Sequence, residues 1–393
     1  MALQPAAGAR DLNPRQVEGN RRIRQQLAAV YRLWGYREVD PPTVETLDTL
    51  AAGGGIAGAE LVRLASDEPL GLRPELTASI ARAACTRMAS QPMPLRLWAD
   101  GDVYLSSLGD GGGQRINQAI TSGVELLGEP GLGADIELVR LLLAAAGELG
   151  LRTEHQPTLL VGHHGVLEAL LADLPEQQRP SIRQALTAFD WLNLQQLPLD
   201  ETQRQQLQQL LMLRGEPQAV LQQLRSRLGS NPLVEQLAQV LESVDPAAAR
   251  HGVRLQLDPT FQPHFNLYDG LVLKLVCQGS DVPVAIASGG RYDALVGRFS
   301  TTDSRRQLPP AGVGFGFDVE QVRELVQPAV QGLPPLLVAF SANTPLAAAI
   351  DALESLHRQG TAAELHGRPL EHRQQAEQVA DQRGCAGVHW LGA

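Results

Sequence analysis

Ser288-Gly289-Gly290-Arg291-Tyr292-Asp293, followed by Ala311-Gly312-Val313-Gly314-Phe315-Gly316-Phe317, is the part of the chain on which the fold turns. The second stretch reads as a Gly-rich strand. The paired glycines of the first let backbone come close to a ligand or to another strand, since no Cβ stands in the way. A bend next to a helix is the alternative. Strands are expected just upstream, at residues 267–276 and 283–287, and a helix is expected from Asp318 onward. Asp318 and Gln321 have the spacing of a capping box for that helix.

Toward the amino terminus, a helix is expected over residues 14–34. Asn13 is placed to cap it, and Pro14 suits the first turn, where a missing N–H costs nothing. Ile23, Leu27, Val30, Tyr31 and Trp34 recur at helical spacing, and Gly35 stops the run. Residues 36–45 read as a strand running into Pro41-Pro42, where it should end or lie at an edge. Residues 51–58, nearly all Ala and Gly, read as a loop. Leu72-Arg73-Pro74-Glu75-Leu76-Thr77 leads into an Ala-rich helix at 78–88. Residues 95–108 and 116–127 read as an antiparallel hairpin around Gly109-Asp110-Gly111-Gly112-Gly113. Asp135 is expected to cap an apolar helix that runs to about residue 149, with Gly150 just past its end.

From residue 171 to 250 the chain is rich in glutamine, with short leucine stripes broken by Pro198, Pro217 and Pro232. That pattern reads as a helical insertion. Residues 333–393 alternate as βαβαβ, a small α/β domain. The fold class is therefore α+β. Residues 1–170 and 251–328 form an antiparallel sheet with flanking helices, and the insertion and the C-terminal domain are added to it.

A chain of 393 residues suggests two or three domains, and 44% hydrophobic with 19% charged residues is ordinary for a globular protein. No apolar run approaches the roughly 18 residues that cross a bilayer. The start has no basic stretch followed by an apolar one, so a cytoplasmic protein is expected. Cys85, Cys277 and Cys385 are far apart and read as reduced thiols. His163-His164 is the one close histidine pair, and neighbours on a strand point to opposite faces, so no metal is expected. Neither a P-loop nor a Ser/His/Asp signature is present, and no cofactor is expected. The net charge of −10, with Lys274 as the sole lysine, argues against a nucleic-acid grip. Residues 333–393, with four arginines against six acidic residues, argue the same way.

In this order the segments resemble the class II aminoacyl-tRNA synthetase core, and specifically its histidyl branch. Gly8-Ala9-Arg10-Asp11-Leu12 resembles that family's opening. Gly35-Tyr36 through Pro41-Pro42 and Glu45 resembles motif 1, the dimer-interface strand. Leu72-Arg73-Pro74-Glu75 with Thr77 resembles the amino-acid-binding turn, Ser288–Asp293 the GGRYD signature, and Gly312-Val313-Gly314-Phe315 the strand of motif 3. The likeness covers nearly the whole chain, with residues 333–393 like a shortened anticodon-binding domain. By this resemblance Glu75, Thr77, Glu125, Tyr268 and Tyr292 stand at positions that line the histidine pocket. A carboxylate at Glu75 and a hydroxyl at Thr77 can hold an ammonium group by charge-assisted hydrogen bonds. The plainer reading of Glu75 is an acid near a helix N-terminus, where negative charge is favoured.

The departures from the family carry the functional expectation. Leu105 stands where motif 2 has the arginine that clamps the ATP α-phosphate, and Ser107 where it has an acid. Gln321 replaces the motif 3 arginine, and Pro263 the catalytic arginine of the histidyl segment. Thr121 stands where a glutamine is usual, and Arg115 matches a second family arginine only with a shortened loop. Leucine cannot neutralise a phosphate, so adenylate chemistry is not expected. A synthetase core so altered resembles the ATP phosphoribosyltransferase regulatory subunits. That family implies a non-catalytic homodimer within a hetero-oligomer, whose partner is a short-form ATP phosphoribosyltransferase catalytic subunit. It also implies histidine as effector. An active or specialised histidyl-tRNA synthetase and an RNA-binding translation-control protein are the alternatives.

Overall fold

The computed structural model describes residues 5–52, 58–109, 112–151, 153–261, 267–300, 309–327 and 334–392. Helix α1 (Pro14–Leu33) starts with a reciprocal cap. Asn13 Oδ1 accepts from the Gln16 amide at 3.0 Å, and Gln16 Oε1 accepts from the Asn13 amide at 2.9 Å. Ile23, Leu27 and Tyr31 are fully buried on its inner face.

The single strand expected over residues 36–45 is instead two. β1 (Arg37–Glu38) pairs with the main sheet, and β2 (Val44–Thr46) turns away to pair with β3 (Leu70–Leu72). Pro41 and Pro42 stand between them and have no N–H to continue a ladder. α2 (Leu47–Ala52) follows, and α3 (Thr77–Cys85) ends three residues short of its expected extent. Residues 53–57 of the Ala/Gly loop lie outside the described residues.

β4 (Leu95–Leu108) and β5 (Gln114–Leu127) form the expected hairpin, paired along their whole length. Of its tip, Asp110 and Gly111 lie outside the described residues. α4 (Leu132–Glu148) begins from Gly131, which offers no side-chain cap. The expected Asp135 cap is thus corrected: Asp135 lies in the first turn and binds the Arg291 guanidinium at 2.9 Å, a stronger partner than a backbone amide. Gly150, at φ +75°, follows the end of α4 in a conformation that a Cβ would strain.

β6 (Thr158–His163) leads straight into α5 (His164–Leu171). His163 therefore ends a strand and caps a helix rather than lying beside His164 within a strand. Five helices follow: α6 (Arg179–Thr187), α7 (Trp191–Gln196), α8 (Glu201–Met212), α9 (Pro217–Leu228) and α10 (Pro232–Arg250). Their inner leucines, among them Leu210, Leu221 and Leu237, join the same hydrophobic core as the sheet. β7 (Arg254–Leu257), which the sequence reading lacks, pairs parallel with β6.

β8 (Leu271–Gln278), β9 (Pro283–Arg291), α11 (Asp293–Phe299), β10 (Gly312–Asp318) and α12 (Val319–Val326) complete this part. Gly289 and Gly290 lie inside β9 and not at a bend. A Cβ on Gly289 would meet the Gly314 carbonyl oxygen at 2.3 Å, so the glycine serves the close approach of two strands. The main sheet has the order β1-β4-β5-β10-β9-β8-β6-β7. Its inner pairs are antiparallel and the outermost pair at each edge is parallel.

Strand period decides what each face does. In β10, Val313, Phe315 and Phe317 point to one face, where Phe315 meets Tyr31 of α1 edge-on with ring centroids 6.2 Å apart. Gly312, Gly314 and Gly316 point to the other. α3 and α11 cover one end of that glycine face, packing Ile80, Leu295 and Val296 with Leu95 and Leu97 of the sheet. The rest of the face is left as the floor of a cleft.

Met1–Pro328 and Ala329–Ala393 are two compact units. In the second, β11 (Leu336–Phe340), α13 (Leu346–Arg358), β12 (Ala363–Leu365), α14 (Arg373–Arg383) and β13 (Gly387–Leu391) give the expected βαβαβ, with a parallel sheet ordered β12-β11-β13. Among the described residues, no helix is long and apolar enough to cross a membrane.

Candidate functional site

A cleft of about 300 Å³ lies over the centre of the sheet, walled by the turn before α3 and by β4, β5, β8, β9 and β10. Its floor is low because the sequence supplies glycines where side chains from neighbouring strands must lie flat. A Cβ on Gly314 would fall 1.7 Å from Glu125 Oε2, one on Gly290 2.7 Å from the Tyr268 ring, and one on Gly312 2.4 Å from the Tyr292 ring. The GGRYD segment and the Gly-rich strand thus make room for three of the five pocket-like side chains.

Three of the pocket-like side chains, Thr77, Glu125 and Tyr292, form one hydrogen-bonded group, with Glu75 and Tyr268 beside them. Thr77 Oγ1 donates to Glu125 Oε1 at 2.7 Å, and the Tyr292 hydroxyl donates to Glu125 Oε2. Glu75 accepts from the backbone amides of Thr77 and Ala78, the latter at 3.0 Å. Glu75 therefore does what the plainer reading foresaw, capping the first turn of α3, while also lining the cleft. Tyr268 lies beside them over Gly290.

Burial pushes the Glu125 carboxyl up to about 8. The hydrogen bonds from Thr77 and Tyr292 oppose the shift, and the charge of Glu75 adds to it. Burial also raises Glu75, against its amide hydrogen bonds. Tyr268 and Tyr292 are raised by burial and by the neighbouring carboxylates, so both stay neutral phenols. Arg73 lowers Glu75 only weakly against its burial, and neither acid is paired with a cation among the described residues, so this end suits a ligand N–H or ammonium, which would favour the ionised forms.

The positions at which the resemblance implies a departure are placed as follows. Leu105 lies in the cleft wall with Val103 and Ala119, an apolar surface. Ser107 is further along the same strand, exposed, and accepts a bond from Asn117 Nδ2 at 2.8 Å. Thr121 lines the cleft, its methyl over Gly316. Arg115 is exposed near the hairpin tip and is not a lining residue. Gln321 is exposed on α12, away from the cleft lining. Asp318 caps that helix, accepting from the Glu320 and Gln321 amides at 3.0 Å, but Gln321 makes no return bond, so the expected capping box is only half present. Pro263 lies outside the described residues. Pro41 and Pro42 line a separate groove with Glu45, Thr46 and Arg82.

Three cations proved more telling than the sequence suggested. Arg73 is buried and donates to the carbonyls of Pro41 at 2.6 Å and Asp102 at 2.9 Å, tying the double proline to the hairpin. Arg291 joins Asp135 and Asp293, fixing the starts of α4 and α11. Lys274, noted from sequence only as the sole lysine, lies in the cleft. Its signal was legible: Leu271, Leu273 and Leu275 claim the buried face, so period two sends Lys274 to the other. His163 accepts from the Gly165 amide at 3.1 Å, and burial, aided by His164, pushes it down to about 4. Among the described residues, no group of three potential metal ligands converges.

A mixed, mainly antiparallel sheet with a glycine floor, an acid–phenol group at one end and helices on its back defines a class II synthetase-like fold of the histidyl type. The histidyl-tRNA synthetase family matches residues 8–322. A solved structure described as an ATP phosphoribosyltransferase regulatory subunit/histidyl-tRNA synthetase from Bacillus halodurans superposes with a TM-score of 0.81 at 25% identity, covering 100% of this chain and 99% of that one. The ATP phosphoribosyltransferase regulatory subunits of Synechococcus sp. (strain RCC307) and Prochlorococcus marinus (strain MIT 9303) are 51% and 47% identical, each over 100% of both chains. The chain belongs to the ATP phosphoribosyltransferase regulatory subunit family.

Proposed function

We propose that the chain is a non-catalytic cytoplasmic subunit that assembles with a short-form ATP phosphoribosyltransferase catalytic subunit. In this role it is required for that subunit's activity and confers histidine feedback on the first step of histidine biosynthesis. The observation that carries the reading is Leu105 in an apolar cleft wall, where a synthetase needs a fixed cation for phosphate, in the same cleft as Glu75 and the bonded Thr77–Glu125–Tyr292 group. A site that keeps amino-acid complementarity without a phosphate clamp suits sensing rather than adenylation. Histidine would act by binding one state of the complex more tightly than the other, shifting activity by that difference alone. A homodimer formed through the Pro41–Pro42 side of the core is the platform for the assembly.

The test is phosphoribosyl-ATP synthesis by the catalytic subunit with and without this chain, then with added histidine. Activity that depends on the chain and falls with histidine is expected. A catalytic subunit fully active alone and indifferent to the chain would overturn the proposal. The acid–phenol group also favours a second reading, a histidyl-tRNA synthetase. That reading requires histidine-dependent ATP–pyrophosphate exchange, and none is expected.

A further inference from the structure

The cleft has two chemically distinct ends. At one are Glu75, Thr77 and Glu125, and at the other is the ammonium of Lys274, the one cationic side chain among the described lining residues. Strand register fixes their separation. Glu125 pairs with Gly314, which pairs with Gly290 on β9, while Lys274 on β8 pairs with Ser288 and through it with Gly316. All of these point to the same face, so the two ends lie three strands apart, about 14 Å across the sheet. Between them the floor itself carries only glycine and serine, Gly314, Gly316, Gly290 and Ser288, with the Tyr268 ring lying over Gly290 and the Thr121 methyl over Gly316.

Lys274 is poorly used by the fold. Its ammonium rests 5.2 Å from the centre of the Phe261 ring, and no ion-pair partner for it is found among the described residues. Half-burial lowers its pKa without any compensating acid. Asp318, another lining carboxylate, is already held by the amides at the start of α12. Among the described residues this flexible four-carbon arm rests on a ring face, which leaves its ammonium able to meet an incoming anion.

We propose that Lys274 recognises the anionic group, carboxylate or phosphate, of a small ligand whose nitrogen-bearing end sits at Glu75, Thr77 and Glu125. An ammonium and a carboxylate on one carbon are too close together to reach both ends. The ligand must present a ring nitrogen or amine to Glu125 and hold its anion several bonds away, as an amino acid with a nitrogenous side chain does. Lysine thereby does from the opposite edge of the cleft what no arginine of the described lining does. This inference deepens the histidine-sensing reading and rests on it.

Three probes share one imidazole and one amine and differ only in the anion: L-histidine carries a carboxylate, histidinol phosphate a phosphate, and histamine neither. Calorimetric titration of each into the full chain, alone and in complex with the catalytic subunit, should show at least one anionic probe binding tenfold or more tighter than histamine. The tighter anionic probe identifies carboxylate or phosphate as the preferred group. Lys274→Met should bring both anionic probes to within twofold of histamine and leave histamine unchanged. Lys274→Arg should restore the preference, and equal melting temperatures would show that the variants are folded. A Lys274→Met variant that keeps the preference, or one that weakens histamine equally, overturns the role of the lysine while histidine sensing stands. Failure of the unmodified chain to bind any of the three removes the sensing reading and this inference with it.

Discussion

Glu125 shows how much a single buried group can reveal. Its carboxyl is pushed up to about 8 in the folded chain, whereas in the unfolded chain it returns to the ordinary carboxylate range. The folded state therefore holds a proton that the unfolded state has lost between those values, and stability falls as pH rises from about 4.5 to 8. Glu125→Gln keeps the shape but cannot ionise. Denaturant unfolding of this variant at pH 5 and pH 8 should show a smaller loss of stability than the parent, by as much as a few kcal/mol; equal slopes would count against the shift. Arg291 is the opposite case, a cation whose two acids depend on it. Arg291→Ala strands Asp135, which is only 14% exposed, and should cost about 3–5 kcal/mol in thermal or chemical unfolding. Both residues were visible in sequence, Glu125 by resemblance and Arg291 within GGRYD. Arg291's partner Asp135 was misassigned because an acid near a helix start looks like a cap until a guanidinium from far along the chain competes for it.

Among the elements, β10 carries the most information. Its Gly-x-Gly-x-Gly alternation says that one face is packed and the other bare, and it was the bare face that could not be interpreted from sequence. Gly314→Ala would drive a Cβ to 1.7 Å from Glu125 Oε2 and 2.6 Å from the Val124 carbonyl, so the carboxylate must move off Thr77 and Tyr292. Loss of ligand binding and a drop in melting temperature are expected together. Gly133→Ala offers the contrast. It lies in the first turn of α4 with nothing within 4 Å of the added methyl, and helix propensity should stabilise it by roughly 0.5–1 kcal/mol. If the two substitutions behaved alike in a melting experiment, the glycine floor would be the wrong explanation. The motif 1 segment was harder to read. Its prolines announced an interruption, but that β2 would turn away to pair with β3 depends on Arg73, buried and bonded to the Pro41 carbonyl.

At the scale of the molecule, the proposed homodimer and hetero-oligomer are the testable quantities. Sedimentation equilibrium at micromolar concentration should give a dimer. Val44→Asp, at an exposed position of β2 beside Pro42, should weaken it, and a monomeric parent chain would remove the proposed platform. The net charge of −10 also sets an expectation for RNA: binding to tRNA should be weak at moderate salt, because 43 acidic residues outnumber 33 cationic ones and repel phosphates.

The sequence by itself determined most of the long elements, the hairpin, the βαβαβ ending and the absence of charge at Leu105 and Gln321. Local rules govern these features: period, caps and the identity of a side chain that can or cannot carry charge. Only the tertiary structure decided that Gly289-Gly290 run within a strand, that Glu75 caps α3 while facing the cleft, and that β6 and β7 form the far edge of the sheet. It also decided that Lys274 stands across a glycine floor from two acids. Those facts depend on register between strands distant in sequence, and no local pattern states which residues will be paired across a sheet.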